Sequence, residues 1–113
     1  MRALLAITDL MARSRLQQAA KAAGYEVSSD RGVPDPADDP PDVLVVDLDQ
    51  PGTLDALAAW RPAHPGVRVV GFAFHAHEDV MAAARALGAE VVTHGTTGRP
   101  ERIFPVRNGP AVS

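Results

Sequence analysis

The feature that most constrains the fold is a pattern that occurs twice: residues at helical spacing, then a glycine, then an extended segment. The first copy runs over residues 12–27 with Gly24 between its two parts, and the second runs over 80–92 around Gly88. A glycine after a helix commonly adopts the left-handed conformation that ends the helix. Each copy therefore predicts a helix that stops at the glycine and leads into a β-strand.

Five short segments are predicted to be strands of one sheet, because they are too short for amphipathic helices and mostly apolar. They lie at Ala3–Ile7, Tyr25–Val27, Val43–Val46, Val67–Phe74 and Ala89–Val92. A further short helix is predicted around Leu54–Trp60, with Trp60 as its anchor on the sheet. Alternating strands and helices predict a doubly wound, five-stranded parallel sheet of flavodoxin-like α/β architecture.

Two segments break this alternation. Residues Ser29 to Asp42 contain four prolines and five aspartates, which predicts a loop with at most one turn in place of the second helix. After Val92 the helical periodicity does not return, so we expect the fifth helix to be absent or short. The sequence therefore predicts one domain over residues 1–95 and an irregular tail over 96–113.

The composition excludes several classes of function. Cysteine is absent, which excludes disulfides and cysteine-based metal sites. The formal net charge is −3 without a Lys- or Arg-rich run, so nucleic acid is not an expected partner. The first apolar run has only five residues, which predicts a cytoplasmic protein without a membrane span. No nucleophile and base stand at a recognisable spacing, so we expect no enzyme activity.

Residues 42–52 carry the most specific motif of the chain. An aspartate is followed by four apolar residues, by Asp47, and by Pro51–Gly52 at a fixed offset. This segment resembles the third strand and the following loop of bacterial response-regulator receiver domains. The two segments centred on glycine also look like parts of a receiver, and the resemblance covers about residues 2–95.

The resemblance implies that Asp47 occupies the position that accepts a phosphoryl group from a histidine kinase. In receivers, paired acids after the first strand hold Mg²⁺, a hydroxyl group follows the fourth strand, and a lysine follows the fifth. Here these positions hold Asp9 alone, Ala73 and His94, and Asp49 is a further pocket residue. We therefore expect an atypical receiver, or pseudo-receiver, with a degraded pocket and at most a weak Mg²⁺ site at Asp9 and Asp47.

Three functions remain open from the sequence. The first is a signalling or protein-interaction module without efficient phosphorelay, and the second is a phosphorylatable single-domain response regulator that uses Asp47. The third is a flavodoxin-like protein that binds a metal or a small ligand through His75, His77 and His94, near the same sheet edge as Asp9. Solvated histidines are the favoured alternative to that metal site.

The missing fifth helix also predicts a protein contact. Without that helix, the sheet face beside the first helix and the fifth strand is expected to be partly uncovered. The tail segment Ile103–Val106 could fold back over part of this face, although a proline interrupts it. We expect a homodimer or a complex with a partner there, with Val91, Val92, Ile103 and Phe104 near the contact.

Overall fold

A computed structural model of the chain describes residues 1–73, 78–93 and Phe104. Within this part, the strands are β1 (Arg2–Ala6), β2 (Glu26–Asp30), β3 (Val43–Asp47), β4 (Arg68–Ala73) and β5 (Glu90–Thr93). The helices are α1 (Leu10–Ala22), α2 (Thr53–Trp60) and α3 (Glu78–Ala86), with a 3₁₀ turn at Arg61–Ala63. None of these helices is long and apolar enough to cross a membrane.

The five strands form one parallel sheet in the order β2-β1-β3-β4-β5. This is the doubly wound, flavodoxin-like order, so the predicted fold class is confirmed. In the register, Ala6 lies opposite Val46, and Asp47 lies opposite Phe72. The carboxyl ends of β1, β3 and β4 are therefore almost level at one edge of the sheet.

The boundaries of the elements follow the glycine and proline signals. Gly24 and Gly88 have positive φ angles of 91° and 79°, so the two predicted glycine stops are confirmed. Residues 31–42 form turns without a helix, as predicted, although β2 extends to Asp30 and the loop therefore begins later than Ser29. The tail over 96–113 lies almost entirely outside the described residues, so its irregularity and the missing fifth helix stay predictions.

One face of the sheet is covered by α1 and by Phe104. Along a strand, side chains alternate between the two faces, and this face receives Leu5 and Val45, which pack with Leu16 of α1. Phe104 is only 1% exposed, and its ring lies edge-to-face on Tyr25 with the centroids 5.4 Å apart. Phe104 therefore covers the face from within the chain and is not available for a surface contact.

The predicted homodimer is not tested by the burial of Phe104. Val91 and Val92 are half-buried on β5, and Ile103 lies outside the described residues. The contact with a second chain therefore stays a prediction, and its surface no longer includes the Phe104 ring.

The opposite face is covered by α2, α3 and part of the 31–42 loop. Leu57, Trp60 and Ala84 are fully buried there against the even-numbered residues of β3. The predicted anchoring role of Trp60 is thus confirmed. Val33 packs at the margin of the same cluster, so the loop covers part of the sheet that a second helix would otherwise cover.

Candidate functional site

The candidate site lies at the carboxyl edge of the sheet, where β1, β3 and β4 end. Asp47 is the last residue of β3, beside Phe72 of β4. The chain crosses over in opposite directions from β1 and β3, and in doubly wound sheets ligands bind in the crevice that opens at this point. The fold therefore places the Asp47 carboxylate at the edge of the sheet where ligands bind in this class of fold.

Asp47 is a buried carboxylate that is tied into its own turn. It is 8% exposed, and its Oδ1 accepts the backbone N–H of Asp49 at 2.9 Å. Its carbonyl oxygen accepts the N–H of Gln50 at 3.2 Å. Gly52, with φ of 83°, then turns the chain into α2. The strand and the turn together fix the carboxylate in position.

The surroundings of Asp47 raise the pKa of its carboxyl group. Burial is the largest cause, because it disfavours the charged form, and the negative charges of Asp49 and Asp9 act in the same direction. The backbone amides of Asp49 and Gln50 oppose the rise by donating to the charged form. The net effect is that Asp47 takes up a proton more readily than an exposed aspartate.

Asp9 has a structural role that the sequence analysis did not assign. It is the N-cap of α1, and its Oδ1 accepts the N–H of Ala12 at 3.0 Å. Aspartate is a favoured N-cap because its carboxylate pairs with the free amides and the positive end of the helix dipole. An aspartate directly before a helical segment is itself a capping signal, so the sequence did contain this information.

The described residues do not form a ready Mg²⁺ site. Carboxylate oxygens are suitable ligands for Mg²⁺, and the charges of Asp9 and Asp49 act on the Asp47 carboxylate. However, within residues 1–73 and 78–93, no three carboxylate or imidazole groups are close enough together to hold a metal ion. The geometry does not fit a preformed metal centre, and the weak Mg²⁺ site at Asp9 and Asp47 stays a prediction.

Ala73 and the histidines complete the predicted site residues. Ala73 ends β4, is 3% exposed and packs among the apolar side chains beneath α2 and α3. Its methyl group offers no hydrogen bond, and its match to the hydroxyl position of receivers stays a prediction. His75, His77 and His94 lie outside the described residues, so the hypothesis of a histidine metal site stays a prediction.

Gln50 connects three loops at the site, and sequence reasoning missed it. Its Oε1 accepts the hydroxyl of Thr8 at 3.2 Å, and its Nε2 donates to the carbonyl oxygen of Arg31 at 2.7 Å. Thr8 precedes α1, whereas Arg31 begins the 31–42 loop. Nothing in the sequence marks these partners, because they depend on how three distant loops meet.

Leu48 forms the base of the site. Its N–H donates to the carbonyl oxygen of Phe72 at 2.9 Å, which extends the contact between β3 and β4 beyond the strand end. Its side chain lies over Gly71, where an added Cβ would come within 2.9 Å of the Leu48 Cγ. Glycine at position 71 therefore allows the turn after Asp47 to pack directly against β4.

Comparisons with known proteins agree with this architecture. No protein-family model and no curated protein matches the sequence. Among solved structures, a CheY-like response regulator receiver domain protein from Methanospirillum hungatei JF-1 is similar with a TM-score of 0.73 and 14% identity, covering 90% of this chain and 97% of that chain. A response regulator protein from Burkholderia pseudomallei was solved with a phosphorylated aspartic acid, calcium ion and citrate. It is similar with a TM-score of 0.72 and 17% identity, and the match covers 99% of this chain and 71% of that chain.

A third structure is the BeF3-activated receiver domain of nitrogen regulatory protein C (NtrC). Its TM-score is 0.62 and its identity 22%, covering 90% of this chain and 94% of that chain. At these identities the likeness establishes the fold alone. The chain has the fold of response-regulator receiver domains, which confirms the resemblance drawn from residues 42–52.

Proposed function

We propose that this chain is a receiver-like signalling module that acts through contacts with other proteins and is not efficiently phosphorylated. The observation that carries the proposal is the environment of Asp47, which is buried and bound into its own turn. Asp9 and Asp49 place further negative charge around it. The proposal includes a cytoplasmic location and no catalytic activity of its own.

The proposal follows from what phosphoryl transfer requires. Charge that develops on the phosphoryl oxygens must be stabilised by cations or by aligned hydrogen-bond donors. Ala73 provides a methyl group at one of the positions that would supply such a donor. One oxygen of Asp9 already accepts the Ala12 amide, which limits its capacity as a metal ligand. The site therefore has a carboxylate that could accept a phosphoryl group, but it lacks part of the groups that would stabilise the phosphoryl charge.

A working receiver that uses Asp47 is the second candidate. It is favoured by the retained carboxylate at the crossover point of the sheet. It is also favoured by the similarity to the Burkholderia response regulator, which was solved with a phosphorylated aspartic acid. In that case Mg²⁺ would be the cofactor and a histidine kinase the partner, with Asp47 as the phosphoryl acceptor.

Phosphorylation by a small donor separates the two candidates. The full chain is incubated with acetyl phosphate and Mg²⁺, and the added phosphoryl mass is measured on the intact protein. We expect only a small minority of chains to be modified, because the stabilising groups are incomplete. The controls are Asp47→Asn, which removes the acceptor, and Asp49→Asn, which removes a neighbouring carboxylate and leaves the acceptor.

Near-complete modification would contradict the proposal if it disappeared in Asp47→Asn and persisted in Asp49→Asn. That pattern would establish the phosphorylatable regulator instead. Modification that persisted in Asp47→Asn would come from another group and would leave the proposal unchanged.

A further inference from the structure

We propose that Gln50 couples the Asp47 carboxylate to the 31–42 loop, so that a change at the carboxylate alters the loop. This inference rests on the proposed function in one respect, since it takes the carboxyl edge as the regulated part of the domain. Through this coupling, a change at Asp47 would reach a neighbouring loop without the need for a hydroxyl group at Ala73.

The first step of the route is the turn that Asp47 holds. The N–H groups of Asp49 and Gln50 donate to the side chain and the carbonyl oxygen of Asp47, at 2.9 and 3.2 Å. The carbonyl oxygen of Gln50 in turn accepts the N–H of Thr53 at 3.2 Å, at the start of α2. The backbone of Gln50 is therefore fixed by Asp47 on one side and by a helix on the other.

The second step is the side-chain amide of Gln50, whose oxygen and nitrogen each form a hydrogen bond. A carbonyl oxygen can only accept, so the Nε2 group must face Arg31, and the Oε1 atom is left to accept from Thr8. At 2.7 Å the bond to Arg31 is short for an N–H···O contact. A displacement of the Gln50 backbone would lengthen both side-chain bonds together.

The third step is the loop itself, which is held largely by side chains from elsewhere. Besides Gln50 at Arg31, the His64 ring bonds the carbonyl oxygen of Pro36 at 2.8 Å, and the Arg2 guanidinium bonds that of Pro40 at 2.6 Å. Because these two anchors do not involve Gln50, loss of the Gln50 bond should free the chain around Arg31 and leave the packing of Val33 and the second half of the loop in place.

A change at the Asp47 carboxylate would start these three steps. A proton, a cation or a covalent group on the carboxylate competes with the Asp49 amide for Oδ1. When that bond weakens, the turn relaxes, Gln50 moves and the Arg31 carbonyl is released. Coupling of this kind is demonstrated when the effect at one position depends on the residue at another.

Trypsin provides a direct measurement, because it cleaves after arginine and Arg31 contributes the carbonyl of the susceptible bond. The test compares native-state cleavage after Arg31 in the full chain and in Asp47→Ala, Gln50→Leu and the double variant, with the fragments identified by mass. We expect Gln50→Leu to speed this cleavage about two- to tenfold, the range for loss of one hydrogen bond. Asp47→Ala should also speed it, and the double variant should be no faster than Gln50→Leu.

The matched control is Gln17→Leu. Gln17 joins α1 to β2 through a 2.8 Å bond from its Nε2 to the Ser29 hydroxyl, and it has no bond to the Asp47 turn. In the Gln17→Leu background, Asp47→Ala should keep its full effect on cleavage after Arg31. Cleavage after Arg68 in β4 reports global unfolding in every sample, and the rate of cleavage after Arg31 is compared after correction for it.

Two results would overturn the coupling. One is unchanged cleavage after Arg31 in Asp47→Ala, and the other is an effect of Asp47→Ala that is undiminished in the Gln50→Leu background. If Asp47→Ala does not fold, the same cycle with Asp47→Leu applies, because leucine also lacks an acceptor for the Asp49 N–H. None of these results depends on the acetyl phosphate experiment, so the coupling and the proposed function can fail separately.

Discussion

The body of the sheet and its carboxyl edge accommodate their side chains differently. In the body, β3 buries Val43–Val46 between two helical layers, where apolar side chains require only close packing. One residue further along, Asp47 is nearly as buried but carries an ionisable group. Burial stabilises the first region and works against the charge in the second. A buried charge that is retained despite this cost is typical of a functional site.

Substitutions in the two regions should change the free energy of unfolding in opposite directions. Truncating a side chain in the body removes packing and should destabilise the fold. Neutralising the carboxylate at the edge removes a charge that burial disfavours and should stabilise the fold. Stability measurements on both regions therefore test whether the distinction between body and edge is real.

The largest effect is expected at Trp60, the largest fully buried side chain. Trp60→Ala leaves a cavity beneath α2 and should lower the free energy of unfolding by about 4 kcal/mol. Urea denaturation followed by circular dichroism measures the change, since the chain has no other tryptophan for fluorescence.

Trp60→Phe is the control for the Trp60 prediction. It keeps most of the ring and removes the indole Nε1, which is buried without a hydrogen-bond partner among the described residues. Its loss of stability should be much smaller, because removing an unpaired buried N–H offsets part of the lost packing. Equal losses in the two variants would show that ring packing is not what stabilises this face.

The next effect is expected at Phe104, the aromatic residue that covers the other face. Phe104→Ala should lower the free energy of unfolding by about 3 kcal/mol, because it removes a buried ring and its edge contact with Tyr25. The same denaturation experiment measures it, with Phe104→Leu as a smaller truncation. An unchanged free energy of unfolding would mean that the stability of the α1 face does not depend on this residue. The two faces of the sheet body would then not be stabilised in the same way.

Most of the fold could be predicted from the sequence, because it depends on local signals. Continuous apolar runs such as Val43–Val46 are typical of buried parallel strands, and glycine at positions 24 and 88 fixes the helix ends through its freedom at positive φ. The prolines and aspartates of the 31–42 loop exclude a helix for equally local reasons. Each of these elements is decided by a few neighbouring residues.

The site was only partly predictable, because its connections are made between distant loops. Asp47 could be placed from the strand and the motif that follows it. The bonds of Gln50 to Thr8 and Arg31 could not, since a glutamine has no preferred partner in sequence. Arg61 is similar: its guanidinium bonds the carbonyl oxygens of Val67 at 2.6 Å and Leu87 at 2.7 Å, which joins the end of α3 to the turn after α2.

The smallest effect, and the only one of opposite sign, is expected at Asp47. Its pKa is raised in the folded chain above the ordinary 3.8, so the folded state holds the proton more tightly than the unfolded state. The linkage relation then requires stability to fall as the pH rises from below the unfolded pKa through the raised folded pKa. At neutral pH the ionised carboxylate therefore lowers stability, and Asp47→Asn should raise it.

The test measures the free energy of unfolding of Asp47→Asn and of the unaltered chain at a series of pH values, and the gain is the difference between the two. The gain should be full at neutral pH and should decrease toward acid, where both side chains are neutral. The amide oxygen introduced by Asp47→Asn can still accept the Asp49 N–H, so the turn is expected to persist.

Asp49→Asn is the control, because it removes one of the charges that raise the Asp47 pKa while keeping the Asp47 carboxylate, and it should give a smaller gain. A loss of stability in Asp47→Asn that is the same at neutral and acid pH would show that the edge is packed like the body, and the contrast between the two regions would not hold.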